Sequence, residues 1–165
     1  MSNVLILGSG GREHAITTSV AKDEKVSKIY CAPGNAGTEK NAKNLNVDLN
    51  NNEDVFRIIQ ENDIDYTIVG PEKPLNNGIV DFLESKKCKV FGPSKYASQL
   101  ECSKLFARNF MEKNNIPQPS FFECRNEEEV ISISTKLGFP IVLKADGLAA
   151  GKGVIICNNQ KELDT

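Results

Sequence analysis

The chain has 165 residues, of which 39% are hydrophobic and 25% are charged, a composition typical of globular proteins. Its 20 basic and 22 acidic residues give a net charge of -2, and no basic stripe stands out. This charge pattern argues against a nucleic-acid or membrane-surface partner. The apolar run at residues 4–7 is too short, and lacks the basic flank, for a signal peptide or a membrane span.

The cysteines and the histidine limit the kinds of site that the chain can contain. Five cysteines are widely spaced, and none belongs to a CxxC pair. This spacing favours reduced thiols in a cytoplasmic protein over a disulfide framework or a zinc site. The single histidine, His14, lies beside glycines at a predicted helix start, where a nucleophile has no obvious place. We therefore expect no catalytic nucleophile paired with histidine, and no metal ligands in this stretch of sequence.

The first hundred residues alternate short apolar runs with amphipathic segments. Strands are predicted at residues 4–7, 28–31, 66–69 and 90–91, and helices at about 14–21, 53–59 and 79–83. This alternation predicts an α/β fold with an open parallel sheet and right-handed crossovers. Every predicted strand ends in a Gly or Pro loop, so these loops are expected at the carboxyl edge of the sheet, where open α/β sheets bind ligands.

The glycine loop at residues 8–11 suggests a dinucleotide site, but two requirements of that fingerprint are not met. Glu13 occupies the position of the third glycine, and the second strand ends without an acidic residue for the ribose hydroxyls. The loop can still present amides to one phosphate, and a tight turn without a ligand is an equally good interpretation. Glu72, after the third strand, could bind sugar hydroxyls or an amine, or be a solvated loop charge.

The alternation of short strands and helices changes near residue 100, and we interpret this as a domain boundary. The predicted domains are residues 1–100 and 101–165. A long helix is expected from about residue 95 to 114, with Ser94 as its N-cap, followed by a strand around residues 121–122.

A hairpin with an unusual loop is predicted near the end of the sequence. Asn126, followed three residues later by Glu129, is typical of a capping box and opens a helix that ends before Gly138. Strands at residues 140–144 and 154–157 then flank a loop of small residues and lysines. Small residues let a backbone close over a polyanion, and lysines supply positive charge. We therefore interpret the loop as a cover for the phosphates of a nucleotide.

This loop differs from a P-loop in spacing and in context. Three residues rather than four separate Gly147 from Gly151, and Lys152 is followed by Gly153 instead of Ser or Thr. A P-loop also leads from a strand to a helix, whereas this loop joins two predicted strands. A nucleotide-covering hairpin is therefore preferred over a ligand-free one. Lys144, at the end of an apolar strand, would otherwise be an awkward half-buried charge.

Six segments, taken together and in order, resemble the phosphoribosylamine–glycine ligases, also called glycinamide ribonucleotide synthetases. The segments are GSGGREH at 8–14, APGNAGT at 32–38, TIVGPEKPL at 67–75, FGPS at 91–94, LECSK at 100–104 and VLKADGLAAGKGVI at 142–155. This family belongs to the ATP-grasp superfamily. The resemblance implies a Rossmann-like pre-ATP-grasp domain followed by the truncated start of an ATP-grasp α+β domain.

The resemblance also implies two sets of binding residues. It places ATP at Lys104, Lys144, Gly147, Gly151, Lys152 and Gly153, although Lys104 by itself would be an ordinary surface lysine. It places 5-phosphoribosylamine at Gly10, Gly11, Asn35, Gly37 and Glu72. The implied reaction joins glycine to 5-phosphoribosylamine in de novo purine biosynthesis, with ATP and with Mg²⁺ or Mn²⁺ held by residues outside this sequence. No side chain in it is expected to act as a catalytic group.

The sequence leaves three possibilities open. Another ATP-grasp ligase, such as a carboxylase component, would share the lysines and the hairpin loop. A non-catalytic module that binds a sugar phosphate would share the glycine loops. Fusion to other purine-pathway domains is also open. Because the family continues well beyond residue 165, we expect this piece alone to lack ligase activity.

Overall fold

The computed structural model describes residues 1–149 and 152–164. Contacts between Cα atoms divide the chain into two compact units, Met1–Ser98 and Gln99–Thr165. Within the described residues, no helix is long and apolar enough to cross a membrane.

The first unit contains a five-stranded sheet with the order β3-β2-β1-β4-β5, and every neighbouring pair is parallel. Its strands are β1 (Ser2–Gly8), β2 (Val26–Pro33), β3 (Lys43–Asn44), β4 (Tyr66–Val69) and β5 (Val90–Phe91). Its helices are α1 (Gly11–Val20), α2 (Asn52–Glu61), α3 (Glu72–Asn76) and α4 (Ile79–Ser85), with a 3-10 turn at Thr38–Lys40. The prediction of an α/β fold with an open parallel sheet is confirmed.

The central strand β1 is covered on both faces. Side chains alternate along a strand, so Leu5 and Leu7 point to one face and Val4 and Ile6 to the other. Leu5 and Leu7 pack in the larger core with residues of α2 and α4, whereas Val4 and Ile6 pack with residues of α1. This two-sided burial explains why β1 is a continuous apolar run rather than an alternating one.

The predicted helix over residues 95–114 is wrong in one respect, because the structure has two helices there. They are α5 (Lys95–Cys102) and α6 (Lys104–Lys113), and Ser103 between them is extended, with φ -125° and ψ 116°. The Ser103 Oγ accepts a hydrogen bond from the Phe106 N–H at 3.0 Å, which is the geometry of an N-cap. The predicted cap at Ser94 is confirmed, since its Oγ accepts from the Ala97 N–H.

The rest of the second unit contains α7 (Glu127–Leu137), β6 (Ile141–Lys144), β7 (Val154–Cys157) and α8 (Gln160–Leu163). The strands β6 and β7 form an antiparallel pair, as predicted. Asn126 caps α7 by accepting from the Glu129 N–H at 2.9 Å, also as predicted. The predicted strand at residues 121–122 is wrong. Those two residues have no ladder partner, and the only ladder described in this unit is that of β6 with β7.

Candidate functional site

Three loops of the first unit meet at the carboxyl edge of its sheet. The loops follow β1, β2 and β4, which are adjacent parallel strands. Backbone hydrogen bonds join them, from Gly34 N to Gly8 O at 3.0 Å and from Gly70 N to Leu7 O at 3.1 Å. The predicted phosphoribosylamine residues therefore lie on neighbouring loops of one unit.

Glu13 is the side chain around which these loops are built. It is 4% exposed, and its Oε2 accepts from the Gly10 N–H at 2.6 Å. A Cβ atom on Gly8 would lie 2.6 Å from the Glu13 Cδ, and one on Gly70 would lie 2.7 Å from the same atom. Glycine is required at both positions because the carboxylate occupies the space that a side chain would take. The residue that breaks the dinucleotide fingerprint is thus a buried structural element.

Asn35 fastens the second loop to the first. Its Oδ1 accepts from the Gly37 N–H at 2.7 Å and from the Thr38 N–H at 3.1 Å. Its Nδ2 donates across to Ser9 O at 2.8 Å and to Gly10 O at 3.3 Å. These four bonds use both ends of the amide, so Asn35 shapes the edge of the sheet through protein contacts.

Gly37 and Gly11 differ in how much space lies beside their Cα atoms. A Cβ atom on Gly37 would lie 2.7 Å from the His14 ring, so this glycine allows the ring to pack against the loop. Gly11 is the first residue of α1, and a Cβ atom there would meet no other atom within 4 Å. Its N–H has no acceptor inside the helix because it belongs to the first turn. Of the two predicted loop amides, that of Gly10 is engaged by Glu13, whereas that of Gly11 belongs to the first turn of α1.

An ion pair joins the first loop to the third. The Arg12 Nη1 donates to Gly70 O, and its Nη2 donates to the Glu72 Oε1 at 2.8 Å. This hydrogen bond from Arg12 is the main reason why the pKa of Glu72 lies below its ordinary value. Glu72 is therefore held as an ionised acceptor. Sequence reasoning missed Arg12, although its place directly after the glycine loop is a usable signal.

In the second unit, the two lysines predicted to contact ATP line one cavity of about 720 Å³. Lys104 is the first residue of α6, and Lys144 is the last residue of β6. Arg108, one turn further along α6, lines the same cavity. The Lys104 Nζ donates to Gly147 O at 2.9 Å. Lys144 is exposed rather than half-buried, which corrects the expectation from its place at the end of an apolar strand.

The wall of this cavity combines three cationic side chains and two carboxylates, Glu123 and Asp146, with apolar side chains. The apolar residues that line it are Leu105, Phe121, Phe122, Val130, Ile133, Leu137, Ile141, Val142 and Leu143. Phosphate groups need cations or N–H donors, and a purine ring needs apolar contact. The lining therefore offers both kinds of contact that a nucleotide requires.

The loop between β6 and β7 is described on both sides of residues 150 and 151. Gly147 has φ +86°, a left-handed conformation that favours glycine. A Cβ atom on Gly153 would lie 2.7 Å from the Ala149 Cβ, so glycine is needed where the two arms of the loop approach. Lys152 is exposed and donates its N–H to Ala149 O. Gly151, also predicted to contact ATP, lies outside the described residues.

Two family models match the chain over almost its whole length. The model described as "Phosphoribosylglycinamide synthetase, N domain" matches residues 2–101. The model described as "Phosphoribosylglycinamide synthetase, ATP-grasp (A) domain" matches residues 102–164.

Known proteins similar to the chain agree with these models. The phosphoribosylamine–glycine ligase of Clostridium acetobutylicum is 48% identical over 158 residues, which are 96% of this chain and 38% of that protein. The crystal structure of the ligase of the same name from Thermotoga maritima has a TM-score of 0.77 at 34% identity, covering 98% of this chain and 38% of that one. The chain thus spans about two fifths of the length of the relatives it matches.

A more distant structure shares the fold alone. It is the biotin carboxylase domain of the 2-oxoglutarate carboxylase of Hydrogenobacter thermophilus, solved with MgADP, ADP and bicarbonate. Its TM-score is 0.78 at 20% identity, and the match covers 99% of this chain and 39% of that one. The family models and the close relatives together decide the assignment: the chain belongs to the phosphoribosylglycinamide synthetase family.

Proposed function

We propose that this chain is part of a phosphoribosylamine–glycine ligase of de novo purine biosynthesis. The relatives that carry this name, with 48% and 34% identity, support the proposal. By "the complete enzyme" we mean a protein of the same length as these relatives that contains this sequence. Its substrates are ATP, glycine and 5-phosphoribosylamine, and its products are glycinamide ribonucleotide, ADP and phosphate.

The observation that carries the proposal is the clustering of Lys104, Lys144 and Arg108 on one cavity. A nucleoside triphosphate carries several negative charges, and the three cationic side chains that line this partly apolar cavity are complementary to it. We propose that Lys104 and Lys144 contact the phosphates, and that Gly147, Lys152 and Gly153, with Gly151, form the loop over them. Each charge-assisted contact of this kind contributes about 1.5–3 kcal/mol.

For the first unit we propose binding of 5-phosphoribosylamine at the carboxyl edge of the sheet. The N–H of Gly11, at the start of α1, suits a phosphate because a helix N-terminus favours an anion. Glu72, ionised through its bond with Arg12, suits the ribose hydroxyls or the amine. Gly37 makes room for the His14 ring, and Gly10 and Asn35 keep the loops in place.

The proposed reaction needs no nucleophile from the protein. The γ-phosphoryl group of ATP passes to the glycine carboxylate, which gives glycyl phosphate and ADP. The amine nitrogen of the ribosylamine then attacks the glycyl carbonyl, the new C–N bond forms, phosphate leaves and the nitrogen loses a proton. Alignment of the substrates and stabilisation of the phosphate charge are then the tasks of the protein.

Within residues 1–149 and 152–164, no three His, Cys, Asp or Glu side chains come together as metal ligands. We therefore propose that the ligands for Mg²⁺ or Mn²⁺ belong to the remainder of the complete enzyme. We further propose that residues 1–100 form a pre-ATP-grasp domain, and that residues 101–165 form part of an ATP-grasp domain.

The decisive experiment compares two proteins with the same three substrates. The complete enzyme should release phosphate only when ATP, glycine and 5-phosphoribosylamine are all present. The 165-residue chain should show no turnover, because it cannot hold the metal. Phosphate release by the complete enzyme without glycine or without the ribosylamine would overturn the proposed substrates. Turnover by the 165-residue chain would overturn the proposal that the metal ligands lie outside it.

We also propose that the substrates are small molecules only, that neither nucleic acid nor a membrane is a partner, and that the protein is cytoplasmic.

A further inference from the structure

We infer that Asp146 is a positioning residue for ATP, acting through Lys104; this inference rests on the proposed function. Asp146 lies two residues after Lys144 at the start of the β6–β7 loop and was not among the residues singled out from the sequence. Its hydrogen-bond partners Ser103 and Leu105 lie in the same unit as Asp146 itself.

The carboxylate of Asp146 holds the residues on both sides of Lys104. The Ser103 Oγ donates to the Asp146 Oδ1 and Oδ2 at 3.2 and 3.1 Å, and the Leu105 N–H donates to the Oδ1 at 3.2 Å. In return, the Lys104 Nζ donates to the carbonyl of Gly147, the residue after Asp146, at 2.9 Å. The start of α6 and the start of the loop are thus joined through three donor atoms of α6 and its cap, on Ser103, Lys104 and Leu105.

The electrostatics of this contact favour an ionised carboxylate. Partial burial pushes the pKa of Asp146 upwards, but the hydrogen bonds from Leu105, Gly147, Ser103 and Lys104 outweigh it and lower the pKa overall. The negative charge also lies at the N-terminal end of α6, where the helix dipole stabilises it. Asp146 is exposed, and these hydrogen bonds account for its placement beside the helix.

The geometry has a direct consequence for nucleotide binding. Lys104 lines the cavity and comes from the first position of a helix, so its direction depends on where the helix begins. Ser103 is extended between α5 and α6, where its N–H donates to Gln99 O at 2.9 Å and its carbonyl accepts from the Ala107 N–H at 3.0 Å. Removing the Asp146 carboxylate leaves those backbone bonds in place but takes away the two contacts that flank Lys104, at the Ser103 Oγ and the Leu105 N–H. The direction of the Lys104 side chain in the cavity is then less fixed.

The test uses the complete enzyme and the variants Asp146→Asn, Asp146→Ala, Lys104→Ala and the double variant Lys104→Ala/Asp146→Ala. We expect Asp146→Ala to raise the KM for ATP about tenfold, the factor expected for loss of one charge-assisted bond, with a smaller change in kcat. Asp146→Asn keeps one acceptor oxygen and should lie between Asp146→Ala and the unchanged enzyme. The KM values for glycine and for 5-phosphoribosylamine should stay the same.

The double variant distinguishes positioning from a general loss of structure. If Asp146 acts through Lys104, the double variant has the same ATP KM as Lys104→Ala alone, because the two effects are not additive. Asn159→Ala is the matched control, since it removes the N-cap of α8 in the same unit, a helix outside the cavity lining, and should leave the ATP KM unchanged. Should Asp146→Ala fail to fold, Asp146→Asn and Ser103→Ala carry the same comparison.

The outcomes separate this inference from the proposed function. Suppose that the enzyme uses ATP and that Lys104→Ala raises the KM for ATP. If Asp146→Asn and Asp146→Ala then leave this KM unchanged, the role of Asp146 is overturned while the proposed function stands. Additive effects in the double variant overturn that role as well. An unchanged enzyme that does not depend on ATP at all overturns the proposed function itself.

Discussion

Gly8 and Gly70 in the first unit and Gly147 in the second differ in how their surroundings restrict them. In the first unit, Gly8 and Gly70 make room for a side chain of the protein, the buried carboxylate of Glu13. In the second unit, a Cβ atom on Gly147 would meet no other atom within 4 Å, and its positive φ is the reason for glycine. The loops of the first unit are therefore fixed by contacts within the protein. The loop of the second unit is held at its base, beside a cavity that a ligand can fill.

The units also differ in how well they bury their sheets. Leu5, Ile6 and Leu7 in the central strand of the first unit are fully buried. In β7 of the second unit, Ile155 and Ile156 are 59% and 61% exposed. Burial of apolar surface is the main stabilising contribution to folding. We therefore expect the first unit to be the more stable of the two, and substitutions in it to report on stability as well as on binding.

The largest effect is expected for Gly70→Ala in the first unit. The new methyl group would collide with the Glu13 side chain, which is buried and cannot move aside without losing its bond to Gly10. We expect the free energy of unfolding to fall by about 3 kcal/mol or more, as for other cases of overpacking combined with a broken buried contact. Urea unfolding followed by circular dichroism measures it.

Gly11→Ala is the matched control for that substitution. A Cβ atom there meets no other atom, so its effect on stability should stay within about 0.5 kcal/mol. In a Glu13→Ala background, Gly70→Ala should cost much less than in the unchanged protein, because the collision partner has been removed. Equal costs in both backgrounds would show that Glu13 does not determine the need for glycine at position 70.

The contact between Glu13 and the glycines shows what the sequence could and could not predict. The order of strands and helices in the first unit follows from hydrophobic periodicity and Gly or Pro loops, and the structure confirms it. The sequence also placed Gly8 and Gly70 in loops at one edge of the sheet. It could not show that Glu13 packs between them, because residues 13 and 70 meet only through the pairing of β1 with β4.

The errors in the second unit have a similar origin. Residues 95–114 have helical periodicity throughout, but the side-chain cap at Ser103 and the carboxylate of Asp146 begin a new helix at Lys104. Ser103 is a preferred N-cap residue, but Asp146, the other part of this contact, is more than 40 residues away along the chain. Residues 121–122 are apolar enough for a strand, yet a strand also needs a partner to accept its backbone hydrogen bonds.

Lys144→Ala should give the next largest effect, and it should affect only ATP. Removing one charge-assisted phosphate contact costs about 1.5–3 kcal/mol, or roughly ten- to a hundredfold in kcat/KM for ATP in the complete enzyme. Lys136, an exposed lysine on α7, is the control, since Lys136→Ala keeps the cavity lining intact. Initial rates at varied ATP measure the effect. Unchanged ATP kinetics in Lys144→Ala would contradict a role for this lysine in the proposed site.

Asn35→Ala should give the opposite pattern to Lys144→Ala. It removes the bonds that join the second loop to Ser9 and Gly10, so we expect a higher KM for 5-phosphoribosylamine and an unchanged KM for ATP. The lost hydrogen bonds should also lower the free energy of unfolding by about 1–2 kcal/mol. Steady-state kinetics with each substrate varied in turn, together with urea unfolding, measure both effects. A raised ATP KM in this variant would show that the two sites are not independent.

Glu72→Gln should have the smallest effect on stability, and that effect should depend on pH. The ion pair of Glu72 with Arg12 is partly exposed, so it contributes about 0.2–1 kcal/mol at most. Because its pKa is lowered in the folded state, Glu72 stabilises the protein above the ordinary glutamate value of 4.5, and this contribution is lost as the pH falls through the folded-state pKa. The difference in Tm between Glu72→Gln and the unchanged protein should therefore be present at neutral pH and should vanish in acid. Arg12→Gln should remove the same difference, and high salt should reduce it. If the gap between the two proteins stays constant across this pH range, Glu72 stabilises the edge of the sheet by some means other than its charge.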